Sequence, residues 1–284
     1  MNNIGIIGYG VVGQGIHRLF KDSVTAIYDP YIKDTKVRQL AFSLKYQGDF
    51  DLKSDFSDVD MAVICVPTNE KNGGSADVSL VYETLEWLSK TIKKNGIILL
   101  KSTTPPSVIK EFACKYDNLV FSPEYMGESK YFTPAWNYPD PQNMESHTWQ
   151  VFGGKKRFTS KCVDIFKTRM GVDCRFFQTD IITASLTKYM ENSFFAMKVT
   201  FCNEWFDIAR TYEVDYNELR ELWLADPRIN RNHTLVFPDN RGYGGKCYPK
   251  DTKAIIYDVC QEGYKPELMI SMDKVNTKFK KEQK

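Results

Sequence analysis

Histidines, paired cysteines and long apolar runs are scarce in this chain of 284 residues, and each scarcity excludes a class of protein. The three histidines, His17, His147 and His233, are far apart and show no metal-ligand spacing, so we expect no metal site. The seven cysteines are scattered, odd in number and without a CxxC pair, which favours reduced thiols in a cytoplasmic protein over a disulfide framework. No run approaches the roughly 18 apolar residues of a membrane span.

A strong charge of one sign is also missing from the sequence. Charged residues make up 26% of the chain and leave a net charge of +2, so we expect neither nucleic acid nor a membrane surface as a partner. The first ten residues, MNNIGIIGYG, lack the charged segment and the long apolar stretch of a signal peptide. Hydrophobic residues make up 42% of the chain, enough for the core of one large domain or two modest ones.

The first feature that is present is a glycine-rich turn between an apolar segment and a helical one. Residues 3–7 are typical of a short strand, and the sequence GYGVVG follows at residues 8–13. An amphipathic helical pattern comes next, and residues 24–28 predict a second strand that ends at Asp29. Strand, glycine turn, helix, strand and terminal acid together indicate a dinucleotide-binding unit of the Rossmann type.

Each residue of this motif has a physical task in binding NAD. Gly8 permits a tight turn, Gly10 lets the backbone approach a pyrophosphate, and Gly13 lets the helix pack closely on the strand. The N-terminus of the helix offers backbone N–H groups to the phosphates. The carboxylate of Asp29 accepts hydrogen bonds from the ribose hydroxyls and would repel the 2′-phosphate of NADP, which favours NAD as the cofactor.

The alternation of strands and helices continues through the first half of the chain. Apolar segments at residues 60–66, 96–100 and 119–121 predict buried parallel strands, and amphipathic segments at 77–93 and from 107 onward predict helices. Each of these three strands runs into a polar loop. Because ligands of such sheets bind at the carboxyl ends of the strands, we expect the three loops to line one cleft.

The second half is predicted to be helical, with one helix much longer than the others. Residues 181–212 predict a single helix that is apolar on more than one face, which indicates burial in a domain or in a dimer interface. Shorter helices are predicted at 216–224, 251–261 and 266–278. The last seven residues, KFKKEQK, are predicted to be a solvated tail.

The predicted fold class is therefore α/β, with two domains of different architecture. Residues 1–178 form a Rossmann-type dinucleotide-binding domain, and residues 179–284 form an all-α central and dimerisation domain. Within the long helix, Lys188 and Asn192 are four residues apart and project from the same face. A lysine among apolar neighbours needs a reason, since an unpaired buried charge is costly, although a solvated lysine is the alternative.

A cysteine in a glycine-rich loop is the second chemical feature of the chain. The segment GYGGKCYPKD at residues 242–251 places Cys247 after three glycines, with Lys250 and Asp251 close behind it. One interpretation is a tight turn that caps a helix and contains an incidental cysteine. The other is a covalent nucleophile, because a thiolate is favoured by nearby ammonium groups and glycines let a substrate approach.

Taken together, the motifs resemble those of the UDP-glucose/GDP-mannose dehydrogenase family. They occur in the order of that family and extend over nearly the whole chain. The matching segments are GYGVVG (8–13), VPTN (66–69), KSTTPP (101–106), SPEYMGES (122–129), KYMENSFFAMKVTFCNE (188–204), DPRI (226–229) and GYGGKCYPKD (242–251). One such motif is weak support for a relationship, whereas seven in order are specific.

The resemblance implies oxidation of the C6 alcohol of a nucleotide sugar to a carboxylate in two NAD-dependent steps. A thiohemiacetal and then a thioester form on the cysteine in that scheme. The implied catalytic residues are Cys247 as the nucleophile, Lys188 and Asn192 as stabilisers of the oxyanion, Asp251 and Thr103 as proton-handling groups acting through a water, and Glu124 as the promoter of thioester hydrolysis.

The resemblance also implies which residues bind the cofactor and the substrate. The implied cofactor-binding residues are Gly8, Gly10, Val11, Val12, Gly13, Asp29, Val66, Pro67, Thr68, Thr103 and Glu128. The implied substrate-binding residues are Glu124, Tyr125, Lys188, Asn192, Arg228 and Gly244, with Arg228 in many members reaching in from a neighbouring subunit. The implied assembly is a homodimer through the helical domain, and UDP-glucose is the first candidate substrate, ahead of GDP-mannose and UDP-N-acetyl sugars.

The chain departs from the family pattern in length. Typical members carry a further nucleotide-binding domain after the central domain, so we expect a short form, a fragment or one half of a two-chain enzyme. The polar loop at 232–245 is long. Its residues His233 and Arg241, and Arg231 directly before it, are candidates for additional substrate contacts, with an exposed loop residue as the alternative for His233. Two other functions stay open: a two-electron β-hydroxyacid-type dehydrogenase, and a non-catalytic NAD-binding dimer that needs a partner chain.

Overall fold

A computed structural model describes residues 2–29, 56–126 and 143–282. Its first part is built on a sheet of seven strands, in the order β2-β1-β3-β4-β5-β6-β7. The strands are β1 (Ile4–Ile7), β2 (Val24–Tyr28), β3 (Met61–Ile64), β4 (Ile97–Leu100), β5 (Leu119–Phe121), β6 (Trp149–Gly154) and β7 (Arg175–Thr179). Every pairing is parallel except that of β5 with β6.

Eight longer elements of the described chain are α-helices. They are α1 (Val11–Phe20), α2 (Ser79–Thr91), α3 (Pro106–Lys115), α4 (Lys156–Met170), α5 (Ile181–Thr211), α6 (Tyr216–Trp223), α7 (Tyr248–Gln261) and α8 (Glu267–Lys281), with a short 3-10 helix at Met144–Ser146. The described residues therefore confirm the predicted α/β class, with strands and helices alternating first and helices following. Strands β6 and β7 and helix α4 between them were not predicted from the sequence.

Alternate residues of the central strands enter two separate cores, one on each face of the sheet. Ile4 and Ile6 of β1 join a cluster with side chains of α1 and α4, whereas Ile7 joins a cluster with side chains of α2 and α3. This arrangement follows from the period of two in a strand, which sends neighbouring side chains to opposite faces. Helices thus cover both faces of a mostly parallel sheet, as in doubly wound dinucleotide-binding folds.

The contacts divide the chain into two compact units. The first contains the described residues of Met1–Asn69 and Asp77–Lys188, and the second contains Glu70–Ala76 and Tyr189–Lys284. The division falls inside helix α5, between Lys188 and Tyr189. The boundary predicted from the sequence at residue 178 stays a prediction.

In the second unit, small apolar clusters join α5 to the shorter helices. Tyr189 packs with Ala254 and Ile255 of α7, and Ala196 packs with Met272 of α8. The predicted solvated tail is wrong in part, because α8 continues to Lys281 and the Phe279 side chain is only 3% exposed. Within the part of the chain that the structure describes, no helix has both the length and the apolarity to cross a membrane.

Candidate active site

The glycine turn after β1 has the backbone geometry that its sequence predicts. Gly8 has a φ of +87°, and a Cβ on it would lie 2.6 Å from the carbonyl oxygen of Cys65, so only glycine fits. A Cβ on Gly13 would lie 2.1 Å from the carbonyl oxygen of Gly8. Gly10, by contrast, has no atom within 4 Å of its Cβ position, which leaves open space for a ligand to approach the backbone.

Asp29 lies at the end of β2, and its carboxylate is tied to the same turn. Its Oδ2 accepts a hydrogen bond of 2.7 Å from the backbone N–H of Tyr9. Val11 and Val12 are the first residues of α1, so the N-terminus of that helix follows the turn directly. An open glycine cradle, a helix N-terminus and a carboxylate at the end of the second strand are the groups that hold the pyrophosphate and ribose of NAD.

The loops after β3 and β4 lie side by side and are joined by a hydrogen bond. Ile64 and Leu100 are neighbours in the ladder, and beyond them the Ser102 hydroxyl donates to the carbonyl oxygen of Val66 at 2.7 Å. Thr68 is buried, Pro67 is exposed and Thr103 is partly exposed. The structure therefore confirms that these polar loops share one edge of the sheet.

Glu124, in the loop after β5, is a buried carboxylate with partners on both oxygens. Its Oε1 accepts from the backbone N–H groups of Tyr125 and Met126 at 2.8 and 2.9 Å, and its Oε2 lies 3.1 Å from the ammonium of Lys101. Burial acts to raise the pKa of Glu124, but the positive charges of Lys101 and His147 and the hydrogen bonds hold that pKa below its usual value. Glu128 lies outside the described residues.

Lys188 approaches the same loop from helix α5. Its ammonium lies 5.0 Å from the centre of the Tyr125 ring, and the side chain is partly buried. A hydrogen bond joins this part of the helix to the loop after β4: the Ser185 hydroxyl donates to the carbonyl oxygen of Thr104 at 2.9 Å. In the first unit, then, Lys188 and Tyr125 are in contact, and Glu124 is the neighbour of Tyr125 in sequence.

The second unit contains another buried polar group, centred on Asp251. Its Oδ2 accepts a 2.6 Å hydrogen bond from the side-chain amide of Asn192, and Lys250 forms an ion pair with its Oδ1. Asp251 is 1% exposed and Asn192 is 3% exposed. The structure thus brings together two residues that are 59 positions apart in sequence and that share one predicted site.

Cys247 is exposed and immediately precedes α7, at the N-cap position of that helix. Its carbonyl oxygen accepts the backbone N–H of Asp251 at 2.8 Å, which fixes the two residues in one helical turn. The N-terminus of a helix favours an anion such as a thiolate. Burial raises the pKa of the Cys65 thiol to about 12 and also raises the pKa values of the Cys162, Cys174 and Cys202 thiols, which disfavours their thiolates.

The predicted substrate residues Arg228 and Gly244 lie in the loops of the second unit. The Arg228 guanidinium is 86% exposed and pairs with Asp226 at 2.6 Å. The substrate contact of Arg228 stays a prediction. Gly244 lies between Gly242 and Gly245, whose positive φ angles of 73° and 77° require glycine in this turn.

The loop residues predicted as extra substrate contacts have partners within the second unit. Arg241 is buried and donates to Asn203 and Asp207, and Arg231 pairs with Glu221. His233 stacks on the Phe195 ring with 4.4 Å between centroids. The charges of Arg231 and Arg241 are paired with carboxylates within the same unit, and their substrate contacts stay a prediction.

Two functional relationships were missed at the sequence level. One is the hydrogen bond between Asp29 and the turn residue Tyr9, and the other is the ion pair between Lys101 and Glu124. The second had a readable signal: a lysine directly after the apolar segment IILL ends a buried strand, and lysine is rarely buried unless it is paired.

Comparison with known proteins agrees with this geometry over most of the chain. Residues 2–137 match the NAD binding domain of the UDP-glucose/GDP-mannose dehydrogenase family, and residues 182–278 match the central domain of the same family. The cofactor of the first domain is accordingly NAD.

Individual relatives match at moderate identity. The UDP-glucose 6-dehydrogenase of Rickettsia typhi is 31% identical over 210 residues, which cover 71% of this chain and 45% of that protein. That of Rickettsia prowazekii is 29% identical over 281 residues, which cover 89% of this chain and 62% of that protein. The chain thus spans about half to three fifths of the length of these curated relatives.

Solved structures share the fold. A UDP-glucose dehydrogenase from Pyrobaculum islandicum superposes with a TM-score of 0.78 at 22% identity, covering 98% of this chain and 68% of that one. The UDP-D-ManNAc dehydrogenase of Pyrococcus horikoshii gives a TM-score of 0.76 at 18% identity, with coverages of 98% and 68%. On the two matched domains and the ordered motifs, this chain belongs to the UDP-glucose/GDP-mannose dehydrogenase family.

Proposed function

We propose that this chain oxidises the C6 alcohol of a nucleotide sugar to a carboxylate, with NAD as the hydride acceptor and Cys247 as the covalent nucleophile. One observation carries the proposal above the others. An exposed thiol stands at the N-terminus of α7, one turn before the buried Asp251–Asn192 pair. A turn that only caps a helix requires neither a buried carboxylate nor an exposed thiol, whereas a covalent nucleophile with a neighbouring proton-handling group requires both.

The proposed mechanism has two oxidation steps and one hydrolysis step, with the sugar bound covalently to Cys247 between them. NAD, which the glycine turn at residues 8–13 and Asp29 would hold, would supply the hydride acceptor for both oxidations at C6. The Cys247 thiolate adds to the aldehyde carbon after the first step, forming a C–S bond and a thiohemiacetal whose oxidation in the second step leaves a thioester. A water then attacks the thioester carbon, the C–S bond breaks, and the thiolate leaves.

Charged and polar groups assist these steps in the proposal. Lys188 and Asn192 stabilise the negative oxygen that develops on C6, an effect that typically contributes a few kcal/mol in a water-poor site. Asp251 and Thr103 pass protons through a water, and Glu124 assists the hydrolytic water.

UDP-glucose is the proposed first substrate, because several relatives are named UDP-glucose 6-dehydrogenase. GDP-mannose and UDP-N-acetyl sugars are the alternative substrates, since solved structures of the same fold include UDP-N-acetyl-mannosamine and GDP-mannose dehydrogenases.

The test is the number of NADH molecules released per sugar consumed, measured by absorbance with purified chain, NAD and a panel of nucleotide sugars. We expect two NADH per sugar and loss of this turnover in Cys247→Ser. The matched control is Cys260→Ser, which changes another exposed cysteine of the same helix and is expected to keep the wild-type count.

Other outcomes of this test identify the alternatives. One NADH per sugar, surviving in Cys247→Ser, would indicate a two-electron dehydrogenase of the β-hydroxyacid type. No NADH from any sugar, with NAD binding intact, would indicate a non-catalytic NAD-binding chain that needs a partner.

We also propose that the chain forms a homodimer through α5. Several large apolar side chains are exposed along this helix at intervals of three, four and seven residues, the spacing of one helical face. Those on the helix are Met190, Phe194, Phe201, Trp205 and Ile208, and Tyr212 follows the last helical residue in the same register. An apolar stripe of this length is typical of a protein–protein interface.

Sedimentation at micromolar concentration tests the dimer. We expect a dimer for the wild-type chain and a monomer for Trp205→Glu, which places a charge in the stripe. The control is Tyr257→Glu, on an exposed aromatic residue of α7 outside the stripe, which is expected to remain dimeric. A wild-type monomer would contradict the proposal.

A further inference from the structure

The ammonium of Lys101 lies in the protein interior beside Glu124. Lys101 follows β4 directly, and its side chain is 0% exposed, while that of Glu124 is 8% exposed. The ammonium is 3.1 Å from Glu124 Oε2 and 3.3 Å from the Ser122 hydroxyl. Because removing a charge from water is costly, a lysine in this position requires a compensating carboxylate.

The carboxylate of Glu124 is in turn held on its other oxygen. The backbone N–H groups of Tyr125 and Met126 donate to Oε1, so both oxygens of the carboxylate have partners. Such hydrogen bonds favour the ionised form and leave the group little freedom to rotate. Glu124 therefore has one orientation, set by its own loop and by Lys101.

Titratable groups reach Glu124 from three neighbouring segments. Lys101 comes from the loop after β4, His147 from the segment before β6, and Cys65 from the loop after β3. Burial acts to raise the pKa of Glu124, and the charge of Lys101 is the largest of the influences that lower it. The Cys65 thiol, whose pKa burial raises to about 12, stays neutral and adds no charge near pH 7.

We propose that Lys101 is a positioning residue of the proposed reaction: its buried ammonium keeps Glu124 a carboxylate and aims it at the hydrolytic water. The role of Lys101 rests on the proposed function, in which Glu124 assists thioester hydrolysis. As the water oxygen bonds to the thioester carbon, its proton passes to the carboxylate of Glu124 and the C–S bond breaks. A Glu124 already protonated has no free site for that proton.

The direct test is a pH titration of glutamate carboxyl carbons by NMR, with Glu124→Gln identifying the Glu124 signal. In the wild-type chain we expect Glu124 to titrate below the exposed glutamates. In Lys101→Met, burial remains and the ammonium is gone, so we expect Glu124 to titrate above them. Lys110→Met, which removes an exposed lysine of α3, is the matched control and is expected to leave the Glu124 titration unchanged.

The outcomes separate this inference from the proposed function, because the titration needs no substrate. If Lys101→Met does not fold, the titration of wild-type Glu124 is the test of the proposal. A wild-type Glu124 that titrates at or above the exposed glutamates overturns the proposal. An unchanged Glu124 titration in folded Lys101→Met also overturns it. Where turnover is present, the acidic limb of the hydrolysis rate against pH is expected to move to higher pH in Lys101→Met, with NAD affinity unchanged.

Discussion

The carboxylate of Asp29 accepts the backbone N–H of Tyr9 at 2.7 Å, which joins the end of β2 to the glycine turn after β1. The residue expected to bind the ribose of NAD thus also fixes the loop that approaches the pyrophosphate. Charge-assisted hydrogen bonds of this kind are among the stronger ones in proteins. Cofactor affinity is therefore expected to depend on Asp29 through two routes, direct contact and loop position.

Replacing Asp29 by alanine is expected to weaken NAD binding by about 10–100-fold, the equivalent of roughly 1.5–3 kcal/mol for a lost hydrogen bond to a charged group. Hydride transfer in a single turnover at saturating NAD should change little, because Asp29 has no role in the chemistry. Titration with NAD measures the first quantity and rapid mixing the second, with the exposed Asp22→Ala as control. A collapsed single-turnover rate with wild-type NAD affinity would refute this role.

Alanine at Gly10 and at Gly13 should have opposite consequences for stability. The Cβ of Gly10→Ala meets no protein atom within 4 Å, so the thermal midpoint of unfolding should not change. NAD affinity should fall, because this Cβ would collide with the pyrophosphate. The Cβ of Gly13→Ala would lie 2.1 Å from the carbonyl oxygen of Gly8, so this variant should lose stability as well. Thermal melts with and without NAD distinguish the two, and equal loss of stability would contradict the account.

The buried pair Tyr9 and His17 should behave as one energetic unit. The Tyr9 hydroxyl and His17 Nδ1 are 2.6 Å apart, and both residues are buried. Tyr9→Phe leaves His17 without this partner and is expected to lower the free energy of unfolding by about 1–3 kcal/mol. In denaturant melts, the loss from Tyr9→Phe should be smaller when His17→Leu is already present. Additive losses would show that the pair is not coupled.

His233 should make the chain less stable in acid. Burial, reinforced by the charge of Lys198, lowers its pKa from 6.5 to about 4. As the pH falls, the unfolded chain binds a proton at His233 before the folded chain does. The free energy of unfolding therefore decreases between pH 6.5 and pH 4, by about 3 kcal/mol in total.

Asparagine is the appropriate replacement, since His233 has a φ of +61° and asparagine tolerates that region. We expect the free energy of unfolding of His233→Asn to vary less with pH between 6.5 and 4 than that of the wild-type chain. Chemical denaturation at a series of pH values measures the difference, and parallel curves would show that His233 does not titrate in this way.

The first half of the fold was predictable because its signals are local. The strand Val24–Tyr28 and the strand Leu119–Phe121 have the bounds that their apolar runs predict. Strands β6 and β7 were missed, because β6 is bounded by polar segments and the exposed residues of β7 give no apolar alternation. The helical end of the chain was missed because a single buried residue, Phe279, holds a lysine-rich turn in α8.

The candidate site was predictable in its residue types but not in its pairings. Short motifs such as GYGGKCYPKD name the residues, whereas the partners of Asp251 and Glu124 lie 59 and 23 positions away and depend on how the elements pack. The same limit explains Arg241, whose carboxylate partner Asp207 lies on α5. Sequence therefore identifies the chemistry, and only tertiary packing shows which charges are already neutralised.

The most direct test of Cys247 as the covalent nucleophile uses Glu124→Gln, the variant expected to slow hydrolysis. The measurement is the mass of this protein after a quenched reaction with NAD and UDP-glucose. We expect a sugar adduct that peptide mapping places on Cys247, with NADH formed in the same burst, and we expect no adduct in the double variant Glu124→Gln with Cys247→Ser. Formation of two NADH per sugar without an adduct on Cys247, or with unchanged yield in Cys247→Ser, would contradict it.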